Sequence, residues 1–98
     1  MNRQQALQIL SENRSRLKRF SVKDLYIFGS VARDEAIDDS DVDILIEFQP
    51  SAKIGLFQFA QLQRFLSELL ECKVDLATPD ALHKDLKEDI LKEAIHAA

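Results

Sequence analysis

A chain of 98 residues, 46% hydrophobic and 31% charged, is too apolar for disorder and too charged to live in a bilayer. The length predicts one domain over 1–98, with a modest core and a stability margin narrow enough for a partner to matter. The formal charge of −4 argues against a large nucleic-acid footprint, so no direct nucleic-acid contact is expected. No apolar run approaches the roughly 18 residues a membrane span requires. The opening MNRQQALQIL lacks the apolar core of a signal peptide. Cys72, the single cysteine, makes neither an internal disulfide nor a zinc cluster by itself. The expectation is a small cytoplasmic domain.

From Arg3 to Phe20, Ala6, Ile9, Leu10, Leu17 and Phe20 recur at helical spacing between charged residues, which predicts an amphipathic helix. Leu25-Tyr26-Ile27-Phe28 is a compact apolar run that suits a buried strand, stopped by Gly29. Ser30 to Arg33 has the length of one helical turn, and the acidic stretch 34–40 reads as a loop. In the segment from Asp41 to Phe48, alternation puts Val42, Ile44, Ile46 and Phe48 on one face. Asp41, Asp43, Leu45 and Glu47 fall on the other, as in a strand with one core face and one partly polar face. Pro50 ends it.

A long apolar helix is expected from Leu56 to about Glu71. Lys73 to Ala77 reads as a third strand, with Val74 and Leu76 inward and Asp75 opposite. Thr78-Pro79-Asp80 opens a final helix, with Leu82, Leu86, Ile90 and Ala94 as its buried stripe. The order α-β-(α)-β-α-β-α predicts an α/β fold, a small mixed β-sheet backed by helices. Strand order and direction are not legible in the pattern.

Chemistry concentrates at the strand ends. Gly29-Ser30 closes the first strand, Asp41-Val42-Asp43 opens the second, and Asp75 lies in the third. Carboxylates at i and i+2 project from the same face of a strand, and sheet pairing can add Asp75 to them. Three such groups repel one another unless a cation lies between them. Hard oxygen ligands select Mg²⁺ or Mn²⁺, and a two-metal site of this kind clamps the oxygens of a phosphoryl or nucleotidyl transfer. A glycine lets backbone approach a ligand closely, and the N–H groups and hydroxyl of Ser30 can hold phosphate oxygens. Arg33, one turn on, brings a guanidinium to the same anion, although a salt bridge to Asp34, Asp38 or Asp39 accounts for it equally. Taken singly, each feature has a plainer explanation as a turn, a solvated loop or an acidic strand surface. Their combination is what carries the reading.

The full string FGSVAR (Phe28 to Arg33), followed by SDVDILIEF (Ser40 to Phe48), resembles the signature of minimal nucleotidyltransferase (MNT) domains, of the superfamily related to DNA polymerase β. The resemblance covers about Leu25 to Ala77. It implies the nucleotidyltransferase fold, ATP as substrate and Mg²⁺ as cofactor. Asp41 and Asp43 would be metal ligands, with Asp75 a third ligand or the base that deprotonates the acceptor hydroxyl. Gly29, Ser30, Arg33 and Ser40 would bind the nucleotide. Many members are antitoxins paired with HEPN-domain ribonuclease toxins, and some transfer AMP from ATP to a tyrosine of the toxin. The resemblance therefore implies an adenylyltransferase antitoxin with a HEPN toxin partner, assembled as a hetero-oligomer or with a second copy of itself. A non-catalytic antitoxin acting by binding alone is the alternative. An enzyme modifying a small molecule or an RNA end is disfavoured by the lack of a further substrate domain.

The remaining residues have structural readings first. His83 and His96 are expected as exposed histidines of the last helix, Cys72 as a small buried hydrophobe and Tyr26 as a core aromatic rather than an acceptor. Arg3, Arg14, Arg16, Lys18 and Arg19 read as a solvated face, with a toxin or RNA contact as the sharper alternative. Phe57, Phe59 and Phe65 are expected mostly in the core, with one rim of their helix left as a partner surface.

Overall fold

The N-terminal helical stretch is two helices, not one. In the computed structural model, which describes residues 2–33, 41–81 and 84–98, α1 spans Arg3–Glu12 and α2 spans Arg14–Lys18. Asn2 starts α1 with a reciprocal cap: its side chain accepts from Gln5 N–H at 2.8 Å, and its own N–H donates to the Gln5 side chain at 3.1 Å. Asn13 makes the break. Its side-chain amide donates to the Ile9 carbonyl at 2.8 Å, satisfying a terminal acceptor in place of the next helical turn. The break still lets Ala6, Leu10 and Leu17 bury together.

Ser21, at φ 63°, turns the chain into β1 (Val22–Phe28). There follow α3 (Gly29–Ala32), β2 (Val42–Phe48), α4 (Leu56–Leu70), β3 (Val74–Ala77), a 3-10 turn (Pro79–Ala81), α5 (Lys84–Glu93) and β4 (Ile95–His96). The sheet order is β3-β2-β1-β4. β1 pairs antiparallel with β2 and β4, whereas β2 and β3 run parallel and need the crossover that α4 supplies. The mixed, helix-backed sheet agrees with the expected class.

The two faces of the sheet have different work. On one face Leu25, Ile27, Val42, Ile44, Ile46 and Val74 pack with Ala6 and Leu10 of α1, Leu17 of α2 and Leu62, Leu66 and Leu70 of α4. Each such buried Leu or Ile contributes on the order of 1.5–3 kcal/mol, so this face carries most of the stability. The opposite face presents Asp24, Tyr26, Asp43, Glu47, Asp75 and His96. Leu45 belongs to that face by alternation but is only 1% exposed, so the face is not polar throughout.

The C-terminal segment departs most from expectation. The 3-10 turn, not the helix, begins at Pro79, and α5 ends at Glu93. Ile95 and His96 then form β4 along the free edge of β1, with Ala97 N–H donating to the Leu25 carbonyl at 2.8 Å. His96 is therefore a strand residue, exposed as expected but bonded to Asp24 at 3.0 Å. Ile90 is half-buried, while Leu82, His83 and the side chain of Leu86 lie outside the described residues.

Of the three phenylalanines on α4, none is fully buried: Phe59 and Phe65 are half-buried and Phe57 is 71% exposed. Phe65 stacks on Phe20. The helix is amphipathic, and its open rim begins at Leu56 and Phe57.

Candidate active site

Asp41 precedes β2 and Asp43 is its second residue, so the strand period aims both the same way. Asp43 lies opposite Phe28 of β1 on one side and Asp75 of β3 on the other. Adjacent strands are about 4.8 Å apart, which sets the Asp43 and Asp75 side chains next to each other. Two hydrogen bonds hold that register: Val42 N–H to the Lys73 carbonyl and the Gln63 amide to the Val74 carbonyl, both 3.0 Å. Lys73 Nζ is 4.0 Å from Asp41 Oδ2, but both groups are well solvated and the pair contributes little.

Gly29 completes the corner. It turns the chain from β1 into α3 at φ 72°, a left-handed conformation that favours glycine. A Cβ added there would overlap Oδ2 of Asp43. Glycine is thus required twice, by the backbone angle and by the carboxylate packed against it. Ser30 follows, half-buried in the first turn of α3. Ser40, expected to join the nucleotide-binding set, lies outside the described residues.

Glu93, at the end of α5, was not marked by any motif. Gly29 N–H donates to its Oε1 at 3.1 Å, and Arg33 Nη1 donates to Oε1 and Oε2 at 3.2 and 3.1 Å. Among the described residues, Arg33 pairs with Glu93 at 3.1 Å; Asp34, Asp38 and Asp39, the partners weighed from the sequence, lie outside the described residues. The only signal for Glu93 is register. Ile27 pairs with Ile95, which sets the end of α5 beside the end of β1.

This crowding shows in the proton affinity of Asp43. Burial pushes its carboxyl above the ordinary carboxylate range, the charges of Asp75, Asp41 and Glu93 push further, and Arg33 pulls against them. An oxygen-only donor set under mutual repulsion fits a hard divalent cation such as Mg²⁺ or Mn²⁺. Among the described residues, no three His, Cys, Asp or Glu side chains already converge at ligand distance. Binding would therefore require Asp41, Asp43 and Asp75 to turn inward about their side-chain bonds.

Comparison with known proteins gives this chain a family. Residues 6–96 match the nucleotidyltransferase domain family. The chain belongs to that family. It is 36% identical to the protein adenylyltransferase MntA of Thermococcus cleftensis over 89 residues, 90% of this chain and 88% of that protein. A solved structure provisionally named a minimal nucleotidyltransferase superposes with a TM-score of 0.81 at 34% identity, covering 97% of this chain and 95% of the other. A complex of a tri-AMPylated Shewanella oneidensis HEPN toxin with an MNT antitoxin contains the same fold, with a TM-score of 0.66 and 17% identity over 94% of this chain and 71% of the matched one.

The other chemistry-bearing residues of this nucleotidyltransferase domain are peripheral. Tyr26 is half-buried on the open face against the His96 ring, centroids 5.2 Å apart, so it is not the core aromatic expected. Burial first, then Asp24 and Glu47, push its hydroxyl above the usual tyrosine value. The Cys72 thiol, half-buried at the end of α4, is likewise pushed up by burial and behaves as a small hydrophobe.

Two predictions follow from this geometry. Gly29→Ala forces a left-handed alanine and a clash with Asp43, so equilibrium denaturation should show a loss of about 1–3 kcal/mol. The second concerns Asp43. Its folded-state pKa is raised, so its protonated form stabilises the fold fully below the ordinary carboxylate value. That stabilisation is lost as pH rises through the folded value. Melting curves of the metal-free protein should show Asp43→Asn gaining stability over wild type as pH climbs through this window.

Proposed function

We propose that this nucleotidyltransferase domain is a Mg²⁺-dependent protein adenylyltransferase, an antitoxin that transfers AMP from ATP to a tyrosine hydroxyl of a HEPN ribonuclease toxin. The observation that carries the reading is the in-register pair Asp43–Asp75, with Asp41 beside it, packed beneath Gly29. The adenylyltransferase name of the Thermococcus cleftensis relative supports the reaction. The AMPylated HEPN toxin bound to an MNT antitoxin supports the acceptor.

The chain's own residues would divide the reaction among them. Asp41 and Asp43 would hold Mg²⁺, which when bound supplies neutralisation of the negative charge on the triphosphate. The Gly29–Ser30 turn and Arg33 would orient the phosphates so that the α-phosphorus faces the acceptor oxygen. The new bond joins that oxygen to the α-phosphorus, the bond to the bridging oxygen breaks, and pyrophosphate leaves. Asp75, exposed and beside Asp43, would share the ion or take the proton of the attacking hydroxyl. Ser40 would complete the nucleotide set from the segment that precedes Asp41.

A binding-only antitoxin remains as a second reading because of one observation. Leu56 and Phe57 are 86% and 71% exposed at the start of α4, an apolar rim suited to a protein partner. One experiment separates the two. The protein is incubated with the product of an adjacent toxin gene, Mg²⁺ and ATP labelled at the α-phosphate, beside an Asp41→Ala, Asp43→Ala variant. Label on the toxin from wild type alone is the expected result. Tight binding and neutralisation by both forms, without label, would establish binding as the whole activity.

A further inference from the structure

We propose that Glu93 is a positioning residue of the active site, holding the Arg33 guanidinium against the Gly29 turn and keeping that cation off Asp41, Asp43 and Asp75. This role rests on the carboxylate site described above being a cation site.

Three bonds converge on Glu93. Both of its carboxylate oxygens accept from Arg33 Nη1, and Oε1 also accepts from Gly29 N–H. Gly29 is the residue whose Cα packs against the Asp43 carboxylate. Arg33 is one helical turn beyond it, with its backbone N–H bonded to the Gly29 carbonyl at 3.1 Å. A guanidinium so placed is permanently charged and seeks carboxylates in paired geometry. Three acids lie on the same corner of the sheet. Loss of the Glu93 charge would let the guanidinium shift toward them, at the expense of oxygens that a divalent cation needs. Glu93 holds it at the Gly29 turn instead.

The position of Glu93 is built rather than incidental. Antiparallel pairing of β4 with β1 anchors the chain two residues beyond Glu93, and the Ala97 and Ala98 contacts with Leu25 lock the chain end behind it. The last residue of α5 thus reaches the site from the β4 edge of the sheet, opposite the β3 edge that carries Asp75. The bond to Gly29 N–H fixes where the carboxylate sits, and the bonds to Arg33 fix where the guanidinium goes.

The test is Mn²⁺ affinity, read by electron paramagnetic resonance without nucleotide or turnover, in wild type, Glu93→Gln, Arg33→Gln and the double variant. Glutamine at 93 keeps an oxygen for Gly29 N–H but loses the charge that holds Arg33, and thermal melting checks that each variant folds. Glu93→Gln should weaken Mn²⁺ binding on the order of tenfold, as loss of an outer-shell partner typically does. The double variant should return to wild-type affinity, because the competing guanidinium is gone. Rescue of this kind is not expected of a residue that only stabilises the fold. Unchanged Mn²⁺ affinity in Glu93→Gln, or a double variant as weak as the single, overturns the role of Glu93. Failure of wild type to bind Mn²⁺ overturns the carboxylate site itself, and the role with it.

Discussion

The contact between Gly29 and Asp43 organises the molecule's chemistry. At φ 72° the glycine turns the end of β1 directly over the carboxylate of the neighbouring strand, with no room for a side chain between them. The turn brings backbone N–H groups and the following helix onto the same corner as the acids of β2. A phosphate cradle and a set of cation ligands have to be close if they are to share one nucleotide. Here the Gly29 turn and the Asp43 carboxylate are in contact, and a Cβ at 29 would overlap the carboxylate.

The sheet then feeds this corner from both edges. β3, held in parallel register by α4, brings Asp75 beside Asp43. α5, tied to the other edge through β4, ends at Glu93, which accepts from Gly29 N–H. Burying Asp43 and gathering carboxylates around it costs stability, and both raise its proton affinity. The cost is offset on the other face, where α1, α2 and α4 bury a continuous apolar core against the same strands. One face stabilises the fold while the other concentrates charge. Catalysis by positioning and charge neutralisation needs a rigid scaffold of this sort more than it needs reactive side chains.

Much of this was legible in the sequence because strands alternate. The pattern from Val42 to Phe48 separates core from open face and puts Asp41 and Asp43 together, and Val74 and Leu76 force Asp75 to the same side. Leu45 is the exception, since alternation assigns a face but not how well that face is covered. The single N-terminal helix failed at Asn13, where one side-chain hydrogen bond outweighs an unbroken apolar period. β4 was hidden because two residues show no period at all, and its stability comes from the edge of β1. Glu93 was hidden with it: the last residue of α5, it reaches Gly29 only once β4 has paired with β1. Phe57 shows the limit from the other side, because apolar composition predicts burial only while core remains to receive it.

The central claim is that Asp41, Asp43 and Asp75 form one cation site beneath the Gly29 turn. It is tested most directly by anomalous diffraction from crystals grown with Mn²⁺ and a non-hydrolysable ATP analogue. The account predicts Mn²⁺ density bridging Asp41 and Asp43, with the triphosphate lying along Gly29 and Ser30. Nucleotide bound elsewhere, or Mn²⁺ held by other side chains while this corner stays empty, would contradict it.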